Sequence, residues 1–469
     1  MREDVAVMFR SLIAAAGLLI VQSAGAVAEA PTTFPFCSWW AEITANTVNV
    51  AFPDSNAAYW TTPFAVTNDL TAIIVEGQYV DGRYFSLTAY NNSGGTYTCP
   101  NSAGESQGSE LTDFEIAPDQ GSENPFQMAV LPPPIGTYTA MLKHPLAVAG
   151  ANVLPMPDST CTPPPTTTGP LPSDVGFLVL RAYLPNGGFD QVPLPNISLQ
   201  YSSGEVVTLP QCRRSPLNGA EIGQFSSAVS AIQQFLTFTP PASRSAVLPV
   251  PCGLPGAQAC PPDLEFYRPT DSATNSFFPN NDNKYIAALV RPKPHQVLLM
   301  RAMGATHTPG TTAEQWQPSM VDLRYWSMCS NVYRPPYSVV SIQEPGGETI
   351  LGCAADLDTA LDSTGYYTYV VSSVEDRPSN AVLNDNYATW LPFSATQPHA
   401  RHLMILRNML GDDFSNSVQN CAQGTDSTAI AECEASMGAY YPQTATCPAA
   451  TFKKGGTAAC FQESRLHRN

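Results

Sequence analysis

The sequence predicts a mainly β protein built from two duplicated antiparallel β-sandwich units of jelly-roll type, each with added short helices. Three observations carry this. A short strand occurs twice, as Arg83, Tyr84, Phe85, Ser86, Leu87 and as Arg324, Tyr325, Trp326, Ser327, Met328, each time after an apolar run, at 72–75 and 297–300. Further landmarks recur around this strand in the same order. The 44 prolines and 31 glycines, with 10% aromatic residues, call for many turns between short strands.

Taken in order, residues 1–28 have the layout of a signal peptide: Arg2 and Arg10, an apolar run at 12–21, then Ala26, Val27, Ala28 before the cleavage point. The run is shorter than the roughly 20 apolar residues of a membrane span. A soluble mature chain, periplasmic or secreted, is expected. The first β unit is expected over 29–215. It opens on Cys37, Ser38, Trp39 and the alternation Ile43, Ala45, Thr47, Asn49, Ala51. A turn follows, Phe52, Pro53, Asp54, Ser55, Asn56 with Tyr59, which returns as Phe278, Pro279, Asn280, Asn281, Asp282 with Tyr285.

After the Arg-Tyr strand, 136–141 is answered by 365–371, and the strand ending at Arg181 by the strand ending at Arg407. Phe52 and Phe278 stand as far apart as Arg181 and Arg407, so the first and last landmarks share one offset, the mark of an internal repeat. The proline- and threonine-rich stretch 159–173 cannot pair as a central strand and is expected as a surface loop. Residues 216–262 are expected to hold an amphipathic helix and a linker. Ile222, Phe225, Val229, Ile232 and Leu236 recur at helical steps, ended by Pro240 and Pro241. The second β unit is expected over 263–469. Its C-terminal helices are expected after Asp412 and Asp413, and between Asp426 as N-cap and Gly438 as stop.

Twelve cysteines, all beyond the signal, suit an oxidising compartment. Spacing pairs Cys252 with Cys260, Cys329 with Cys353, Cys421 with Cys433 and Cys447 with Cys460. The connectivity of Cys37, Cys99, Cys161 and Cys212 stays open. No Cys-x-x-Cys pair or adjacent histidine supports zinc. The formal charge of −17 repels nucleic acid and anionic lipid, leaving neutral or cationic partners.

In each Arg-Tyr strand the arginine shares a face with apolar residues, and a buried arginine needs a carboxylate. Asp54 and Asp282, in the preceding turns, are the expected partners, which makes Arg83 and Arg324 structural before they are functional. Gly104 to Gly108 spells Gly-x-Ser-x-Gly, but without the flanking strand and helix that a nucleophile elbow requires. His399 and His402 lead into a strand, where positions three apart point to opposite faces, against a metal pair.

Calcium is the one cofactor with candidate ligands, the oxygen-rich turns around Asp119 and at Asn280 and Asp282, although Asx turns explain the same residues. The acids worth inspecting for paired carboxylate chemistry are Glu76, Asp113, Asp119, Asp282, Asp376 and Asp385. Asp282, Arg324 and Asp385 are the candidate catalytic residues. Trp60, Arg83, Tyr84, Tyr325, Trp326 and Trp390 are the candidate ligand contacts, tryptophan being also a common core residue.

Leu111, Asp113, Ile116, Pro118, Asp119, Gly121, Ser122, Asn124, Pro125 and Phe126, with the segments at 324–329, 375–378, 390–392 and 437–442, resemble a family of exported bacterial proteins of unknown function with duplicated β-rich units and Arg-Tyr-x-Ser strands. That resemblance implies export and β architecture and supplies no catalytic residue. The expected function is an exported two-unit protein that binds, and on one reading processes, a neutral extracellular ligand such as a glycan in a groove between its lobes. The alternatives are a hydrolase or lyase on a glycan or ester, and a structural envelope protein without a catalytic site.

Overall fold

The computed structural model describes residues 37–39, 41–47, 49, 51–129, 135–144, 146, 150–165, 173–212, 252, 260–270, 278–334, 337–344, 346–379 and 388–468. The signal peptide expected at 1–28, the helix expected at 222–236, most of the linker expected over 216–262 and Asp385 lie outside the described residues.

In chain order the first sandwich contains β1 (Ala41–Ile43), β2 (Ala57–Ala65), β3 (Leu70–Gln78), β4 (Gly82–Tyr90), β5 (Thr98–Pro100), β6 (Ser106–Gly108), β7 (Glu110–Thr112), β8 (Thr137–Lys143), β9 (Val153–Pro155), β10 (Val175–Pro185), β11 (Asn196–Tyr201) and β12 (Val206–Thr208). The second contains β13 (Asn283–Val290), β14 (Gln296–Met303), β15 (Tyr325–Val332), β16 (Ser341–Gln343), β17 (Thr349–Leu351), β18 (Cys353–Ala355), β19 (Tyr366–Ser372), β20 (Ala388–Pro392), β21 (His402–Met409) and β22 (Gln443–Pro448).

The first sandwich has an inner sheet ordered β1-β2-β10-β4-β7 and an outer sheet ordered β12-β11-β3-β8-β9; the second has β13-β21-β15-β18 and β20-β19-β14-β22. The orders match strand for strand, β2-β10-β4-β7 with β13-β21-β15-β18 and β11-β3-β8-β9 with β22-β14-β19-β20. Register matches as well. Arg181 lies opposite Tyr59 and Ser86, and Arg407 opposite Tyr285 and Ser327. The two Arg-Tyr strands, β4 and β15, therefore hold equivalent places. One departure from antiparallel pairing occurs in both outer sheets, whose edge pairs β8–β9 and β19–β20 are parallel. In each case a loop returns the chain before it pairs, which residue alternation along a strand does not encode.

Each sandwich closes on its own core. Phe85, Leu87, Leu178 and Leu180 of the first inner sheet pack on Ile73, Val75, Leu142 and Leu199 of its outer sheet, and Ile286, Trp326, Met328 and Leu406 pack on Leu298, Met300, Tyr369 and Val371 in the second. The opposite face of each inner sheet is also covered, because the two sandwiches meet there. Ala57, Tyr84 and Tyr183 of the first cluster with Tyr325, Ala355 and Met409 of the second. β4, β15 and β21 are accordingly buried along their whole length, on polar and apolar positions alike. Both sandwiches lie in one unit of the chain, Phe34–Asn469.

Helix α1 (Ser427–Met437) is capped by Asp426, whose carboxylate accepts from Thr428 N and Ala429 N, and ends at Gly438, where φ is 56°. Asp412 and Asp413 do not open a helix. Their segment makes turns because the following residues bond elsewhere, Val418 N to Asn408 Oδ1 and Gln419 Nε2 to Asn408 O. Helix α2 (Ala449–Arg468), broken at Gly456, lays Phe452 and Cys460 against Val297, Leu299 and Val370 on the outer sheet of the second sandwich. Its glycine pair, Gly455 and Gly456, hid it in the sequence. No described helix is long and apolar enough to cross a membrane.

All twelve cysteines are bridged: the four pairs expected from spacing, and Cys37 with Cys212 and Cys99 with Cys161. The Cys37 bridge ties the start of the first sandwich to its end.

Candidate functional site

Of the residues that sequence reading singled out, Asp54, Arg83, Tyr84, Asp282, Arg324 and Tyr325 converge where the two inner sheets meet. Alternation turns Tyr84 and Tyr325 toward this seam, and the turns before β2 and β13 carry Asp54 and Asp282 into it. The contacts are exchanged between sandwiches. Tyr84 donates to Asp282 Oδ2 at 2.7 Å, and Tyr325 to Asp54 Oδ2 at 2.9 Å. Thr112 adds a bond to Asp282 at 2.6 Å, and Ser327 one to Asp54 at 2.6 Å. Burial and the facing carboxylates hold both tyrosine hydroxyls well above their ordinary range, so they stay protonated as donors.

The same exchange corrects the expected arginine partners. Arg83 pairs with Asp356 of the second sandwich at 3.1 Å, and Arg324 pairs with Asp113 of the first at 3.0 Å, all four side chains fully buried. Asp54 and Asp282 are not those partners, because each turn aims its carboxylate across the seam at hydroxyl groups. Asp113 also accepts from Phe85 N at 2.9 Å, and Asp356 from Trp326 N at 3.1 Å. Each aspartate thus joins the strand of its own sandwich to the arginine of the other.

Burial disfavours every charge here. It raises the Asp113 and Asp356 carboxyls and lowers the Arg324 guanidinium, and the ion pairs oppose these shifts. Arg324 Nη1 and Asp113 Oδ1 lack hydrogen-bond partners. The guanidinium is instead flanked by the rings of Phe126 and Trp316, with centroids 5.0 and 5.3 Å away.

A second pair of arginines is exchanged in the same manner. Arg181 donates to Phe278 O at 2.7 Å and Arg407 to Phe52 O at 2.7 Å. Phe52 and Phe278 both have left-handed backbones, with φ of 58° and 49°. That conformation is costly for an aromatic residue and recurs at the two equivalent turns.

At the margin of the seam Glu110 and Asp282 are half-buried near Arg181. Glu110 accepts from Thr88 Oγ1 at 3.2 Å and from Asn281 N at 3.3 Å, and its carboxylate lies 3.9 Å from Arg181. Burial, then the charge of Asp282, pushes the Glu110 carboxyl up to about 7. Burial raises Asp282 as well. Sequence reading missed Glu110, which stands in a polar stretch and belongs to no repeated landmark.

The segment between β14 and β15 leaves the second sandwich and crosses the first. Ala313 enters the first core and its N–H donates to Asp81 Oδ1 at 2.8 Å, while Trp316 N donates to Phe126 O at 2.9 Å. This crossing forms an open pocket of about 170 Å³ lined by Met128 and Ala129 of the first sandwich and by Thr308, Pro309, Glu314, Gln315, Gln317, Met320 and Val321 of the second.

The expected ligand platform is not at the surface. Trp60, Arg83, Tyr84, Tyr325 and Trp326 are buried, and Trp390 is covered by Arg377, whose Cζ lies 4.3 Å from its ring centre. The indole N–H groups are spent internally: Trp60 on Glu42, Trp326 on Ala305 O and Trp390 on Ser372. The interlobe groove expected for the ligand is filled by the exchanged side chains.

For calcium, the oxygens of Asn280 and Asp282 are engaged by Tyr84, Thr112 and their own turn, and Asn124, beside Asp119, caps the turn Pro125–Gln127. Among the described residues, one group of three metal-type ligands lies close together, Asp54 with Cys329 and Cys353, and these cysteines form a disulfide. Ser106 lies in the β5–β6 hairpin rather than at a strand-to-helix elbow. His402 is buried on β21, where its Nε2 accepts from Ser394 N at 3.0 Å and burial lowers its pKa to about 4.

No family model matches the chain, and no curated protein matches it. Among solved structures it is similar to a putative uncharacterized protein from Burkholderia cenocepacia, at 12% identity and a TM-score of 0.45 over 89% of this chain and 85% of that one. It is also similar to the VPA0106 protein from Vibrio parahaemolyticus, at 9% identity and a TM-score of 0.35 over 85% of this chain and 91% of that one.

Proposed function

We propose that the chain is an exported, two-lobed binding protein that holds an extracellular ligand on its outer surface without cleaving it. The observation that carries this is the exchange of Arg83–Asp356 and Arg324–Asp113, with no exposed side-chain surface, in the place where an interlobe ligand would sit. Arginines committed to buried carboxylates and backbone carbonyls are not available to a substrate, and a seam built this way favours one rigid body over a closing cleft. The twofold match of strand order, register and left-handed turns supports reading the lobes as copies of one unit, with 29–215 and 263–469 as their extents. Six disulfides support export.

A second reading has one observation in its favour. Glu110 and Asp282 are two interacting carboxylates with raised pKa values at the seam margin, the arrangement used for general acid–base work on a glycan or ester. One experiment separates the two. Mature protein is incubated with a panel of extracellular glycans and esters while binding and product release are followed together. The binding reading expects retention without release. Product release that disappears in Glu110→Gln would replace it with the hydrolytic reading.

A further inference from the structure

One carboxylate near the seam has no direct partner among the described residues. Arg83 is matched by Asp356 and Arg324 by Asp113, so the two guanidinium groups are each taken by one carboxylate. Glu314 stands beside them on the crossing segment and joins no hydrogen bond or ion pair among the described residues. Its carboxylate, half-covered in the wall of the pocket that spans both lobes, feels Arg83 and Arg324 only at a distance and keeps both oxygens free of a direct partner. Among the described residues, no lysine, arginine or histidine lines that pocket. Met128, Met320, Val321 and Pro309 supply an apolar wall, and Thr308, Gln315 and Gln317 supply hydrogen-bonding groups. The chain as a whole carries −17, which draws cations toward it.

Size narrows the ligand. About 170 Å³ is below the roughly 300–1,000 Å³ of pockets that enclose a drug-sized molecule. An oligosaccharide does not fit inside, whereas one flexible side-chain-sized group does. A carboxylate at one point and thioether and aliphatic carbon elsewhere match a group with an apolar stem and a charged head.

We propose that this pocket binds an alkylammonium group, the aliphatic stem against Met128 and Met320 and the ammonium on Glu314. This rests on the binding reading above and names the ligand class of its surface site. The group has two sources, a lysine side chain of an exported peptide or a free aliphatic diamine, and both present the same chemistry.

The test uses full-length mature protein with ¹³C-methyl methionine, the Met128 and Met320 signals assigned through Met128→Leu and Met320→Leu. Three probes are titrated: Nα-acetyl-lysine methylamide, cadaverine, and pentanediol as the uncharged counterpart of cadaverine. Saturable shifts of the two methyl signals are expected with at least one amine and not with the diol, and the stronger amine tells which source is preferred. Glu314→Gln should weaken amine binding about tenfold or more while leaving the thermal midpoint unchanged. Equal shifts with the diol, no shift with either amine, or full amine binding by Glu314→Gln overturns the proposal. Product release is followed on the same samples. Conversion of an amine with intact dependence on Glu314 would sink the non-catalytic reading and leave the pocket standing, so the two failures are distinct.

Discussion

Arg83 and Arg324 each hold the other's backbone: Arg324 Nε donates to Arg83 O at 2.7 Å, and Arg83 Nη1 to Arg324 O at 3.4 Å. Each guanidinium goes on to a carboxylate of the opposite lobe. The pairings correspond although the surroundings differ, Arg83 donating also to Gly310 O and Arg324 lying between Phe126 and Trp316. Arg83→Ala and Arg324→Ala each leave a buried aspartate without its guanidinium and should each cost about 3–5 kcal/mol. Urea unfolding measures this, and losses confined to one of the two variants would break the equivalence.

Glu110 gives the seam a pH dependence. Its carboxyl is held at about 7 in the folded chain, above the roughly 4.3 of an exposed glutamate. The folded state therefore retains a proton that the unfolded state releases, and stability from this group is fully present below about pH 4 and lost as pH rises through 7. Glu110→Gln mimics the protonated form. Thermal midpoints should coincide with wild type near pH 4 and exceed it near pH 8, and a variant less stable at pH 8 would contradict the shift.

His402 works in the opposite direction. Burial holds its imidazole neutral down to about pH 4, below the ordinary value of about 6.5. Stability from this group is present above 6.5 and is lost as pH falls toward 4, because the unfolded state takes up the proton first. The NMR signal of the His402 ring should titrate near 4. A titration midpoint above 6 would contradict the burial of this ring.

The bridge between Cys37 and Cys212 spans 175 residues and ties the ends of the first sandwich. Replacing both by serine should remove roughly 2–4 kcal/mol. Intact mass after alkylation without reduction should show no free thiol in the wild-type protein, and labelled cysteines would refute the pairing.

Much of the architecture was legible because it is written in local patterns. The alternation in Arg83 to Leu87 and in Arg324 to Met328 put phenylalanine, leucine, tryptophan and methionine into two cores, and Asp426 and Gly438 bounded a helix. Spacing alone found four disulfides. The site was less legible, because its contacts cross from one lobe to the other. Asp54 and Asp282 precede the arginine strands in sequence and looked like their partners, while Asp113 and Asp356, which follow those strands, reach the opposite arginine only after the lobes dock. Asp356 could have been found by asking which acid follows Arg324 at nearly the interval that separates Asp113 from Arg83. Glu110 and Glu314 carried no such signal. Their roles arise from burial and from neighbours on the other lobe, which linear order does not display.

The exchanged pairs are the centre of this account, and a double-mutant cycle tests them most directly. Arg324→Ala and Asp113→Ala, singly and together, are compared by urea unfolding with the cycle of Arg324→Ala and Asp282→Ala. The exchanged pair should couple by about 1–3 kcal/mol in a single unfolding transition, and Arg324 with Asp282, which share no hydrogen bond, should couple by clearly less. Stronger coupling to Asp282 than to Asp113, or separate unfolding of the two lobes in the wild type, would contradict it.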